Sequence, residues 1–174
     1  MADDSGMVCA ANAAGQANER ASKPRIRPAH PDDMPALHKI INKFAESGEM
    51  LPRTLSELYE NVRDYIVADV DGRIAGGVAL HIYWRDLAEI KALAVDAQSQ
   101  GLGLGRMLVT AAMDEARRLS IPRVFALTFK PGFFVKLGYT PIDKHDLPQK
   151  IWTECVRCPK FPDCNEQAVV IDLH

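Results

Sequence analysis

Residues 89–106, Glu-Ile-Lys-Ala-Leu-Ala-Val-Asp-Ala-Gln-Ser-Gln-Gly-Leu-Gly-Leu-Gly-Arg, constrain the fold of this chain more than any other stretch. The segment opens with Ile90, Leu93 and Val95 set among small or charged residues, the pattern of a half-buried strand. It runs into a loop carrying Gly101, Gly103 and Gly105 and continues as a helix. Glycines there remove the Cβ atoms that would hold a ligand off the backbone, and they tolerate φ values that other residues avoid. The N–H groups that open the helix point outward with the positive end of its dipole behind them, which suits a diphosphate. A Rossmann G-x-G-x-x-G has a different spacing, and the Gly-Lys-Ser/Thr of a P-loop is absent. An ordinary strand–helix turn could use the same glycines, but a glutamate at the head of the strand, in Ala88-Glu89-Ile90, favours a functional loop.

The rest of the chain supplies partners for this unit. Residues 1–24 are rich in Ala, Asn, Gly and Ser with no apolar period, and read as a flexible tail. A strand begins near Arg25-Ile-Arg27. In the helix that follows, over 31–44, Met34, Leu37, Ile40, Ile41 and Phe44 fall on one face. Thr54 with Glu57 forms a capping box for a second helix over 54–64. Residues 65–70 and 73–84 pair as strands around the turn Asp71-Gly72, and the central strand runs over 87–95. Leu104, Leu108, Ala111, Ala112 and Leu119 line one side of the next helix, which Pro122 ends. A strand over 123–129, a short helix over 131–137 closed by Gly138-Tyr139, and a last strand over 167–173 complete the order β-α-α-β-β-β-α-β-α-β. This is an α/β (α+β) domain over 25–174, a mixed sheet flanked by helices.

Composition narrows the function. At 174 residues, 47% hydrophobic and 25% charged, the chain is an ordinary globular domain with room for a substantial core. The net charge of −2 and the scattering of the 21 basic residues give nucleic-acid binding no electrostatic support. No apolar run approaches a membrane span, and the first residues lack the character of a signal peptide. A cytoplasmic protein with reduced cysteines is expected.

The spacing Gln100-x-x-Gly103-x-Gly105 resembles the Q/R-x-x-G-x-G/A signature of the GNAT superfamily of N-acetyltransferases, and the element order is similar to theirs. The resemblance implies a GNAT fold in which acetyl-coenzyme A lies along the central strand and the glycine loop. Its contacts would come from Leu93, Ala94, Val95, the loop residues Gln100, Gly101, Leu102, Gly103, Leu104, Gly105 and Arg106, and Phe134. It also implies that Glu89 takes the proton of the acceptor amine, that the N–H of Leu93 polarises the acetyl carbonyl, and that the pantetheine arm pairs near Val95. The alternative for Glu89 is an exposed strand-end acid paired with Lys91. The family's tyrosine in the pattern Tyr-x-x-x-Gly-Phe is replaced: here the run is Phe134-Val-Lys-Leu-Gly138-Tyr139, so no tyrosine at that position can protonate the leaving thiolate. GNAT domains often form dimers, so a homodimer belongs to the expectation.

The runs Glu89-Ile-Lys-Ala-Leu-Ala-Val, Val124-Phe-Ala-Leu-Thr, Leu137-Gly-Tyr-Thr-Pro-Ile-Asp143, Asp146-Leu-Pro148 and Val170-Ile-Asp-Leu173 are similar to the acetyltransferase domain of bacterial N-acetylglutamate synthases. That resemblance spans most of 25–173 and implies a short, stand-alone form, without the kinase-like domain of longer members. The acceptor would be L-glutamate, acetylated on its α-amine in the first step of arginine biosynthesis. Arg53, which follows Gly48 in the family's Gly-x-x-x-x-Arg spacing, and Lys91, two residues after Glu89, would hold the acceptor's carboxylates. A surface role remains the alternative for Arg53. The basic stretch of longer synthases before the last strand is here Pro162-Asp-Cys-Asn-Glu166, which is acidic, leaving Lys150, Arg157 or Lys160 to substitute. Another amine acceptor, or an acetyl-coenzyme A sensor without turnover, are the competing readings.

Cys155-x-x-Cys158 with Cys164 admits three readings. These are a zinc site with three thiols, a redox-sensitive pair, and reduced thiols in a proline-braced loop.

Overall fold

The computed structural model describes residues 23–148, 151 and 164–173. Its strands are β1 (Arg25–Pro28), β2 (Tyr65–Val70), β3 (Arg73–Trp84), β4 (Leu87–Val95), β5 (Arg123–Thr128), β6 (Thr140–Ile142) and β7 (Gln167–Asp172). They form one sheet in the order β1-β2-β3-β4-β5-β7-β6. All neighbours are antiparallel except β4 and β5, which run parallel. The parallel pair is the topological consequence of the glycine loop, because the helix after it carries the chain back before β5 begins.

The helices are α1 (Met34–Glu46), α2 (Leu55–Glu60), α3 (Leu104–Arg118) and α4 (Pro131–Val135). They divide between the faces of the sheet. On one face α1 and α2 cover β2 and β3, with Met34, Leu37, Ile41 and Leu58 wholly buried against Tyr65, Val67 and Ala79. On the other, α3 lays Leu104, Leu108, Val109 and Ala112 on Val78, Leu80, Ile90 and Val124. Each fully buried aliphatic side chain contributes about 1.5–3 kcal/mol. A smaller cluster joins Leu87 of β4 and Phe125 of β5 to Leu147 and Ile151.

Several expectations need correction. The second helix stops at Glu60 and a 3-10 turn, Val62–Asp64, follows. Asn61 breaks it by bonding its side-chain amide back to the Glu57 carbonyl, 2.7 Å away. Leu119 does not join the buried line of α3; it is the C-cap and 48% exposed. The helix ends before Pro122, with Ser120 at φ 58 and the Ile121 N–H bonded to the Ala116 carbonyl. The strand β6 is absent from the sequence-based order. It has three residues with Pro141 in the middle, and it survives at the sheet edge, where a missing N–H is tolerated.

Candidate active site

Two irregularities in β4 build the site. First, Gly77 pairs with Ala94 and Ala79 with Lys91, so Val78 alone faces both Ala92 and Leu93. This is a β-bulge, with Ala92 at φ 52. The extra residue reverses the side-chain alternation. Ile90 lies on the α3 side, and so do Leu93 and Val95, whereas Ala92 and Ala94 turn to the α1 side. Without the bulge Ile90 and Leu93 would face opposite ways. Second, β4 pairs with β5 only from Leu87 to Glu89, opposite Arg123 to Phe125. Beyond Glu89 the two parallel strands are unpaired and a notch opens between them.

A cleft of about 1140 Å³ occupies this notch and extends to both faces of the sheet. Glu89 sits on its floor, 7% exposed, at the last paired position of β4. Tyr83 donates its hydroxyl proton to Glu89 Oε2 at 3.0 Å. Lys91 places Nζ 5.9 Å from the centre of the Tyr83 ring, within reach of a cation–π contact. On the α1 side the wall is Phe44, Met50, Leu51 and Arg53. The backbone of Arg53 is clamped by Asn42 of α1, whose side chain accepts from its N–H at 3.0 Å and donates to its carbonyl at 2.8 Å. The Asn42 clamp gives this loop a fixed position relative to the sheet.

At the α3 end the loop glycines do what their chemistry allows. Gly101 and Gly103 have φ of 81° and 76°, and nothing lies within 4 Å of where a Cβ on either would be. Gly103 is the N-cap of α3, with no side-chain cap bond, so the leading N–H groups of a 15-residue helix face the cleft without a capping side chain. Gln100 donates from Nε2 to the Val95 carbonyl at 3.3 Å and ties the loop to the end of β4. This backbone cradle fits a diphosphate. Phe134, beneath it, is buried and packs edge-on against Phe133 and Tyr139.

Of the site residues expected from sequence, Arg53, Glu89, Lys91, Leu93, Ala94, Val95, Gln100, Gly101, Gly103, Leu104, Gly105, Arg106 and Phe134 all line this one cleft. Leu102 is not among its lining residues and is 62% exposed. The sequence reading did not assign Tyr83, Lys130, Lys144 or His145 to the cleft, whose lining they share. Tyr83 could have been found: a tight turn between β3 and β4 brings residues near 82 opposite those near 88. Lys130 bridges the rim to Glu49 at 2.7 Å, across 81 residues of chain, and holds that carboxyl below its usual range. No sequence spacing announces such a contact.

Cys155 and Cys158, with Lys150, Arg157 and Lys160, lie outside the described residues. Cys164 lines the cleft, its Sγ 3.6 Å from Glu166 Oε2. Among the described residues no group of three or more His, Cys, Asp or Glu could hold a metal ion. No helix among them is long and apolar enough to cross a membrane.

Notched sheet, bulged central strand and glycine cradle together define an acyl-coenzyme A-dependent transferase, and residues 31–139 match the acetyltransferase (GNAT) family. The chain belongs to that family. It is 39% identical over 148 residues to an uncharacterised N-acetyltransferase of Chlorobaculum tepidum, covering 85% of this chain and 96% of the relative. It is 36% identical to an amino-acid acetyltransferase of Mycobacterium tuberculosis, covering 79% and 80%. Among solved structures it resembles the N-acetylglutamate synthase of Neisseria gonorrhoeae complexed with coenzyme A and N-acetyl-glutamate. The TM-score there is 0.80 at 28% identity, over 88% of this chain but 36% of that longer one. A Mycobacterium tuberculosis protein in complex with CoA and NLQ gives 0.75 at 31% identity, over 86% and 99%. The protein is thus an acetyltransferase of the GNAT family.

Proposed function

We propose that this protein transfers the acetyl group of acetyl-coenzyme A to the α-amine of L-glutamate. The observation that carries the reading is a single cleft with a buried carboxylate, Glu89, at its centre. The diphosphate cradle of residues 100–106 lies at one end and the cations Arg53 and Lys91 toward the other. In this reading the acceptor nitrogen attacks the thioester carbonyl carbon and the C–S bond breaks. Glu89 receives the proton from the nitrogen, directly or through water. The Leu93 N–H, in the bulge, stabilises the negative charge that develops on the carbonyl oxygen. Coenzyme A leaves as thiolate and takes a proton from water, since Phe134 has no proton to give.

Arg53 and Lys91 hold the two carboxylates of glutamate, the arginine by its planar fork. The clamp by Asn42 supports that role, because a fixed backbone lowers the cost of ordering the side chain. The likeness to the Neisseria gonorrhoeae synthase over its acetyltransferase part supports the same acceptor. Glu49 and Glu166 in the cleft walls favour a second reading, an amino acid whose side chain is neutral or cationic.

The test is coenzyme A release from acetyl-coenzyme A with L-glutamate, L-glutamine, L-lysine and a polyamine, on wild type and Glu89→Gln. Glutamate-dependent release, with N-acetylglutamate in the product and a fall of at least 10²-fold in the variant, is the expected result. Release with another amine in place of glutamate would overturn the acceptor and keep the chemistry. Cofactor binding with no turnover on any amine would make the protein a sensor of acetyl-coenzyme A.

A further inference from the structure

We infer that Tyr83 is the positioning residue of the Glu89 carboxylate and sets the pH at which it can accept a proton; this rests on the reading of Glu89 as base. In the register of β3 with β4, Ile82 faces Ala88 and Trp84 faces Leu87, so the ladder shifts at Tyr83. Such a residue is re-aimed from the regular pleat. Its ring is packed in place, 4.9 Å from His81 edge-on and 5.9 Å from Phe125. Its hydroxyl then reaches Glu89 Oε2 at 3.0 Å.

Two consequences follow from that bond. A buried carboxylate on a flexible side chain gains a fixed orientation toward the notch. The bond also favours the ionised form, since a phenol donates more strongly to a carboxylate than to a carboxylic acid, and this opposes the effect of burial. Among the described residues, the charged groups near the pair are Lys91 on the same strand as Glu89 and His81 on β3, which is held by Asp64 at 2.7 Å. Arg53, Lys144, His145 and Glu166 stand in the cleft walls, with the Glu49–Lys130 ion pair at the rim. All of these are retained when the Tyr83 hydroxyl alone is removed, so their contribution to any pH profile cancels in the comparison.

The experiment compares kcat/KM against pH, from about pH 5.5 to 9, for wild type and Tyr83→Phe with the best acceptor of the amine panel. Glu89→Gln is measured alongside. Phenylalanine keeps the packing on His81 and Phe125, and thermal unfolding verifies the fold. The acid limb is expected to move up by about one pH unit in Tyr83→Phe, with a loss of roughly tenfold at low pH that narrows as pH rises. KM for acetyl-coenzyme A should not change. An acid limb that stays at the wild-type midpoint, whether or not activity falls, would overturn the role of Tyr83 while an inactive Glu89→Gln preserves the base. Full activity and an unaltered profile in Glu89→Gln would instead remove the base itself, and the inference with it.

Discussion

Gly103→Ala separates the conformational role of the glycine loop from its ligand-binding role. Gly103 caps α3 at φ 76 and ψ 6, in the left-handed region. An added Cβ there meets nothing within 4 Å, so no collision contributes and the whole cost in the free protein is backbone strain. That strain is roughly 1–2 kcal/mol for an L-residue. Losing a glycine also restricts the unfolded chain, which returns about 0.4–1 kcal/mol. The net loss is therefore about 1 kcal/mol, equivalent to about 2–4 °C in Tm for a chain of this size. Gly103→Asn provides the control, because asparagine tolerates the left-handed region and should recover most of the stability. Both variants put a side chain into the cradle, so both should raise KM for acetyl-coenzyme A, the larger asparagine more. Urea unfolding without ligand reads the first effect and saturation kinetics the second. If Gly103→Ala were as stable as wild type or more so, the left-handed cap would be refuted. An unchanged KM in both variants would refute the cradle.

Two further predictions concern the frame that holds the cleft. In Gly76→Ala the new Cβ would lie 2.6 Å from the Ala94 carbonyl oxygen and 3.1 Å from Val95 Cα, both backbone, so β3 must part from β4 beside the bulge. A loss of about 1–3 kcal/mol in urea unfolding is expected, and unchanged stability would contradict this close approach. Asp33 accepts from both terminal nitrogens of Arg27, at 2.6 and 2.9 Å, and from the His30 N–H at 2.7 Å, tying α1 to β1. The Arg27 guanidinium holds the Asp33 carboxyl below its usual range. With the folded pKa below the unfolded one, the stabilisation is fully present above the unfolded value and is lost as pH falls through the folded value. Wild type should therefore exceed Asp33→Asn by about 1.5–3 kcal/mol at pH 7. The gap should begin to close below about pH 4, and a pH-independent difference would show that the charge is immaterial.

Much of this protein is written locally. The helical spacing of Met34, Leu37 and Ile41, the Thr54–Glu57 capping box and the Asp71-Gly72 turn each act within a few residues, and each is found where the sequence puts it. The strand–loop–helix unit is also local: glycine chemistry, a helix dipole and an acid at the strand head suffice to mark it. What the sequence could not decide depends on neighbours distant in the chain. The bulge that brings Ile90, Leu93 and Val95 to one face exists only because Val78 on β3 faces two residues of β4. The helix ends at Asn61 and Ser120 are the exception, set by local bonds that propensity does not rank, whereas β6 exists because β7 offers it an edge. Lys130 meets Glu49 across the rim, 81 residues away. The sequence alone determined the family of this chain and the strand, loop and helix that line its cleft. Only the packing of β3, β4 and β5 decided how far the strands separate and which side chains turn into the notch, because register and splay are set by contacts between strands rather than within them.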